Sequence, residues 1–171
     1  MFIELKTKRL ILRPLSSKDL ETTHKYASDL DVTKYMFYLP NHSVEETMEF
    51  LQYAEAEWGK EHVVNYEFAI CLGAIHIGGI SLSQVSCDCY ELGWILDRDY
   101  QWNGYCTEAA LELVRFAKSL GAKELIAHCD TRNNASRRVM EKIGMNFVLE
   151  QDRQYLDGRG AARQYMYSMK L

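Results

Sequence analysis

The stretch ELGWILDRDYQWNGYCTEAALELV, Glu91 to Val114, carries a glutamate on an apolar run, then Gln101, then Gly104, with no acid between Gln101 and Thr107. Its first part reads as a strand and its second as a helix, with apolar residues recurring at spacings of three and four. A strand that turns into a helix at a glycine leaves several backbone N–H groups unpartnered at the helix N-terminus, where the aligned peptide dipoles also favour negative charge. Gly104 lets a ligand come close to the backbone, Gln101 adds a neutral donor, and the missing carboxylates leave an anion unrepelled. The chemistry on offer is phosphate binding. A tight connection with a packing glycine has the same appearance, so the stretch alone leaves both readings open.

A second segment with chemical content is NNASRRVMEKIG. Asn133 is placed to cap a helix, and Ser136 stands at the third helical position. Arg137 and Arg138 add positive charge on that helix. Other chemistries find no support. No G-x-G-x-x-G follows the first strand, and no loop ends in G-K-[ST]. The five histidines are scattered without a G-x-S-x-G nucleophile, and Cys106 falls on the apolar face of its helix. Cys87 and Cys89 form only a C-x-C with no second ligand pair nearby, so no metal is expected.

The elements that must position these residues follow from the rest of the chain. RLILRPL, Arg9 to Leu15, reads as a strand, and SSKDLETTHKYASDL as a serine-capped helix. NHSVEETMEFLQYAEAEWGK places Val44, Met48, Leu51 and Ala54 near helical spacing behind a Ser43 cap, ending near Gly59. VNYEFAICL, AIHIGGISLSQV and CYELGWIL are three successive strand-like runs that suggest an antiparallel meander. The helix after Gly104 buries Cys106, Ala110, Leu113, Ala117 and Leu120 and stops at Gly121. KELIAHCD is a short strand, the Asn133 helix sets Ala135, Val139 and Ile143 on one side, and the chain closes in a hairpin turning at Asp157-Gly158. The order β-α-α-β-β-β-α-β-α-β-β predicts an α/β (α+β) fold. Its mixed, mostly antiparallel sheet has about seven strands, parallel where the Gly104 helix crosses over, with helices on both faces.

With 171 residues and 47% hydrophobic content, the chain is the size of one domain spanning 1–171. A formal net charge of −4 with scattered basic residues gives no footprint for nucleic acid. No apolar run reaches the roughly 18 residues that span a bilayer, and MFIELKTKRLILRPL lacks the apolar core of a signal peptide. A cytoplasmic protein without membrane contact is therefore expected. Five cysteines at irregular spacing argue against a disulfide framework.

At this point the sequence resembles the GNAT acyltransferase superfamily. Its pyrophosphate loop, Q/R-x-x-G-x-G/A between a strand and a helix, is similar to QWNGYCTEAA, with Cys106 as the departure. NNASRRVMEKIGM, the opening TKRLILRPL and the closing YMYSM resemble the branch that contains ribosomal-protein N-terminal alanine acetyltransferases. The resemblance implies the GNAT fold, acetyl-CoA as cosubstrate without a metal, and direct transfer of acetyl to an amine. It assigns the thioester to the backbone of Ile95 and Leu96. The pyrophosphate falls to Gln101, Trp102, Asn103, Gly104, Tyr105 and Cys106.

Further roles are implied for single side chains. Glu91 resembles the base used by some members, although a strand glutamate in an ordinary hydrogen bond is an equal reading. Asn133 resembles the residue that contacts the pantetheine arm, alongside its capping role. Ser136 resembles the proton donor to the leaving thiolate, although a serine there also serves a helix cap. Many members carry a tyrosine where this chain has Met140, which cannot donate a proton. Arg138, with Arg137, could face the 3′-phosphate or simply be solvated, and Glu108 reads as structural. The amine-bearing acceptor, protein or small molecule, would be bound by the first two helices, the loop Tyr35 to His42 and the final hairpin. Tyr35, Phe37 and Tyr38 could line that pocket or pack in the core. A homodimer is left open. The reading from another class is a coenzyme A-binding module without catalysis.

Overall fold

The backbone of the structure, a computed structural model describing residues 3–156 and 158–171, is one eight-stranded sheet with helices on its two faces. Its strands are β1 Leu5–Lys6, β2 Leu10–Pro14, β3 Asn65–Leu72, β4 Ile75–Gln84, β5 Cys89–Leu96, β6 Glu124–Asp130, β7 Asn146–Gln154 and β8 Ala161–Lys170. The helices are α1 Leu20–Ala27, α2 Val44–Trp58, α3 Tyr105–Ser119 and α4 Asn134–Lys142. Across the sheet the order is β1-β2-β3-β4-β5-β6-β8-β7, and only β5 and β6 run parallel. The expected order of elements is present. The eighth strand is β1, whose two residues are too few to show an alternating pattern. Of the turn expected at Asp157-Gly158, Asp157 lies outside the described residues.

Alternation along β3 shows how the two faces divide. Tyr66, Phe68 and Ile70 point one way into the main core, where Phe68 and Tyr66 meet Phe116 of α3 edge to face at 5.7 and 5.2 Å. Ala69 and Cys71 point the other way and pack with Leu51 of α2 and Leu15. Glu67 shares that second face, as residues two apart on a strand must.

Two helices sit slightly rotated from expectation. In α2 the buried stripe is Thr47, Leu51, Ala54 and Trp58, while Val44 is exposed. A polar Thr47 can go inside because its hydroxyl is within hydrogen-bond reach of His24 Nδ1, at 2.8 Å, and accepts from Asn41 Nδ2 at 3.0 Å. In α4 Met140 is wholly buried and Ala135 is exposed, while Val139 and Ile143 face the core as expected. Met140 therefore fills the core.

The feature that shapes the site is where β5 and β6 part. Their pairing covers Cys89↔Glu124, Tyr90↔Leu125 and Glu91↔Ile126 and goes no further. From Leu92 to Leu96 β5 has no β6 partner, and its backbone edge faces an opening that begins at Glu91. No helix among the described residues is long and apolar enough to cross a membrane.

Candidate active site

The chain leaves β5 through a short turn, Arg98–Tyr100, and enters α3 by a loop that is tied to itself. Gln101 Nε2 donates to Leu96 O at 3.1 Å, and Asn103 Nδ2 donates to Gln101 O at 2.9 Å. Two residues lie in the left-handed region, Gly104 with φ 79° and Trp102 with φ 67°. Gly104 adopts it freely. A tryptophan there costs about 1 kcal/mol or more, and Trp102 is 79% exposed, so burial of its ring does not offset the strain. Alternating backbone hands of this kind turn successive N–H groups toward one point, as anion-binding nests do. Gly104 is the N-cap of α3 and offers no side chain to the first-turn N–H groups.

Beneath the loop lies a cluster that sequence spacing did not reveal. Glu108 accepts from Thr7 Oγ1 at 2.5 Å, from Arg9 N at 2.8 Å and from Arg9 Nε at 2.7 Å. Burial pushes this carboxyl up, but the bonds from Thr7 and Arg9 outweigh it and hold Glu108 below the usual range. Glu108 thus faces away from the cradle, and Arg9 comes to it, donating to Asn103 O at 3.0 Å and lying 4.5 Å over the Tyr105 ring. Arg9 is some ninety residues away in sequence, and only the pairing of β2 with β3 brings it here.

A cavity of about 300 Å³ opens beside the loop, bordered by Ile95, Leu96, Gln101, Trp102, Gly104, Tyr105 and Cys106. From the α4 side come Asn133, Ser136 and Arg138, joined by Lys142. Of the residues expected at the cofactor, Asn103 alone does not border it, since its side chain turns back to Tyr100 O and Gln101 O. A second cavity, about 480 Å³, lies on the α1 and α2 side of the sheet. Tyr35, Met36, Trp94, Ile95, Asn133 and Ser136 border both. The two cavities therefore meet at the unpaired edge of β5 and the first turn of α4.

Acid–base groups cluster around this junction. Glu91 borders the larger cavity, and its Oε1 lies 2.7 Å from His128 Nδ1, a partner reached only because β6 runs beside β5. Asn133 Oδ1 accepts from Ser136 N at 3.1 Å, so the asparagine performs the capping. The Ser136 hydroxyl has no hydrogen bond among the described residues and is free at the junction. Burial pushes the thiols of Cys106 and Cys129 up to about 12, which removes both as nucleophiles at neutral pH. Glu67, a lone acid in the apolar run of β3, borders the larger cavity as well. An isolated acid in such a run was the one signal that could have pointed to it.

The larger cavity is walled by the elements expected to hold the acceptor. Thr23 and Tyr26 come from α1, Phe50 from α2, Tyr35, Phe37 and Tyr38 from the loop, and Arg153 from β7. Arg159 fastens this wall, donating to the main-chain oxygens of Lys34, Met36 and Leu39 at 3.0, 2.7 and 2.9 Å. Phe37 stacks on Tyr155 at 5.0 Å. Removing three charge-assisted bonds loosens a loop that forms much of the larger cavity's wall and reaches the smaller one only through its start, to Met36. Arg159→Ala is expected to raise the KM for an acceptor about tenfold or more and to weaken coenzyme A binding by much less, as steady-state kinetics and calorimetric titration would show.

Comparison with known proteins gives the family and the fold. The acetyltransferase (GNAT) domain family matches residues 9–146. The chain is 31% identical to YnaD of Bacillus subtilis, an uncharacterized N-acetyltransferase, over 84% of this chain and 82% of that protein. Among solved structures it is similar to a GNAT-family acetyltransferase from Bacillus anthracis, at 29% identity with a TM-score of 0.84 over 98% of both chains. The ribosomal-protein α-N-acetyltransferase RimL in complex with coenzyme A shares the fold, at 18% identity and a TM-score of 0.84 over 100% of this chain and 98% of that one. The chain therefore belongs to the GNAT family of acetyltransferases.

Proposed function

We propose that this chain, as one domain over residues 1–171, is a cytoplasmic enzyme that moves the acetyl group of acetyl-CoA directly onto an amine, either a protein N-terminus or a small molecule. The observation that carries the reading is the meeting of two cavities along Trp94, Ile95, Asn133 and Ser136, at the edge of β5 that β6 leaves unpaired. One cavity has the chemistry for coenzyme A, with an uncapped helix N-terminus, a left-handed glycine and the cations Arg138 and Lys142. The RimL complex with coenzyme A, on the same fold, supports this choice of cosubstrate. Acetyl-CoA supplies an activated acyl thioester.

The residues of the chain then divide the work. Main-chain N–H groups from Gln101 to Cys106 would hold the pyrophosphate, and Arg138 with Lys142, on the same cavity, would take a further phosphate charge. On the open edge of β5 the Leu96 N–H, which points away from β4, polarises the thioester carbonyl, while the Ile95 N–H is turned to the β4 ladder. Asn133, on the junction, steadies the pantetheine arm. Glu91, oriented by His128, takes the ammonium proton directly or through a water. The Ser136 hydroxyl, unengaged at the junction, returns a proton to the leaving thiolate. With Cys106 and Cys129 inert, no side chain at the junction is suited to carry the acetyl group, which favours direct transfer in a ternary complex.

Removing one proton-transfer group typically lowers turnover by 10²–10⁴. Ser136→Ala and Glu91→Gln are each expected to lower kcat by about 10² while the Kd for coenzyme A stays within about twofold. The test is thiol release from acetyl-CoA with a panel of amines. Amine-dependent release supports the reading, and coenzyme A binding without turnover on any amine would leave a binding module in its place.

A further inference from the structure

The acceptor cavity holds a carboxylate with no partner. Glu67 sits on the same sheet face as Ala69 and Cys71 and borders the cavity. It has no hydrogen bond or ion pair from its carboxylate among the described residues, whereas Glu91 has His128. Its main chain is pinned, with its carbonyl oxygen accepting from Leu15 N and from Trp58 Nε1, both at 2.9 Å, so the strand cannot carry the side chain out to solvent. Burial alone pushes the carboxyl up to about 7, and no cation offsets it. Arg153, the cation that borders the same cavity, lies 4.7 Å over Phe37 and donates to Gln164 Oε1 at 3.2 Å.

Tyr38, 58% exposed, borders the same cavity, and its hydroxyl has no hydrogen bond among the described residues. Burial, with the charges of Glu67 and Glu91, pushes this phenol up to about 12, so it stays a neutral donor. A half-buried carboxylate and a hydroxyl on the wall of one cavity, neither with a protein partner among the described residues, are open to a ligand.

The register places Glu67 relative to the reaction. Glu67 pairs with Ser81 on β4, and Ser81 with Gly93 on β5, so the three stand side by side across the sheet. A Cβ at Gly93 would fall 2.8 Å from Ser81 Oγ, so glycine keeps the floor between them open. Two strand spacings, about 10 Å, separate Glu67 from the edge of β5, too far for it to take a proton from the attacking nitrogen directly.

We propose that Glu67 binds a second cationic group of the acceptor, so that the preferred substrate is an amine bearing another positive charge about 10 Å from the nitrogen that is acetylated. This rests on the acetyl-transfer reading above. The preference is strong above pH 7, where Glu67 is ionised, and fades as the pH falls and the carboxyl takes up its proton. The other titratable groups that border the cavity are Tyr26 from α1, Tyr35 and Tyr38 from the loop, Glu91 from β5, His128 and Cys129 from β6, and Arg153 from β7.

The test compares a straight-chain diamine, nitrogens about 10 Å apart, with the amino alcohol of equal length, in the unaltered protein and in Glu67→Gln. The unaltered protein is expected to show a KM for the diamine about tenfold below that for the amino alcohol near pH 8, narrowing near pH 6. Glu67→Gln should raise the diamine KM alone and leave kcat and the acetyl-CoA KM in place. An unchanged preference, or an equal loss of kcat with both acceptors, would overturn the proposal. A second measurement needs no turnover: titrating the diamine into the coenzyme A complex near pH 7, in buffers of different ionisation enthalpy. Proton release that disappears in Glu67→Gln supports the assignment; its absence in the unaltered protein refutes it. If no amine is acetylated but this release is seen, the transfer reading fails and the cation site stands.

Discussion

Gly104→Asp is expected to weaken coenzyme A binding by at least about 100-fold while the protein stays folded. Space is available, since a Cβ at Gly104 meets only Arg9 Nη2, at 3.6 Å. The left-handed φ of 79° disfavours most side chains, and aspartate is among the least affected. A carboxylate at the N-cap of α3 is moreover a good cap, able to accept from the same first-turn N–H groups that the phosphate needs. The helix loses nothing while the anion site is filled by the chain's own charge. Two like charges 4 Å apart near a protein surface repel by about 4 kcal/mol, enough for two to three decades in affinity. Calorimetric titration with coenzyme A, beside thermal unfolding, checks both halves. Gly104→Ala separates the contributions, because it adds strain of about 1 kcal/mol without charge and should cost tenfold or less. Equal binding by the aspartate variant would remove residues 101–106 from the cofactor site.

Gly78→Ala is expected to cost about 1–3 kcal/mol of stability and to lower kcat by about 10², with little change in coenzyme A affinity. Gly78 pairs with Leu96, and a Cβ there would stand 2.4 Å from Ile95 O and 2.9 Å from Leu96 Cα. Both obstacles are backbone, so no rotamer change relieves them. The end of β5 must move, and with it two contacts that fix it, Asp97 N to Ile77 O at 2.9 Å and Gln101 Nε2 to Leu96 O at 3.1 Å. If the outward N–H of Leu96 polarises the thioester, a shift of this size misplaces the donor from the reacting carbonyl. Denaturant unfolding and steady-state kinetics read the two effects separately. A destabilised variant with normal kcat would mean that this backbone has no part in catalysis.

How far the site could be read beforehand depended on how local its causes are. The turn at Gly104 and the cap at Asn133 are set by residues within a few positions of each other, and both occur where the sequence places them. The parallel crossover from β5 to β6 follows from a helix between two strands. Helix faces were less legible. Of Ala135, Val139 and Ile143, Ile143 is buried and Val139 packs against the core, but Ala135 is exposed and Met140 is wholly buried, because the packing of α4 beside α3 and β6 sets the face. Least legible were contacts made by register between distant strands. Arg9 under the Gln101–Cys106 loop, His128 on Glu91 and Glu67 in line with Gly93 each depend on pairings that no local spacing encodes.

The claim that acetyl passes directly from acetyl-CoA to an amine at the junction of the two cavities is tested most directly by a single-turnover reaction followed by intact mass. Protein in slight excess over acetyl-CoA is mixed with an accepted amine and quenched at successive times. The expected result is acetyl-amine appearing in step with free coenzyme A, with the protein mass unchanged throughout. A protein that gains the acetyl group before the amine does would contradict the account, as would bound acetyl-CoA that persists with every amine supplied.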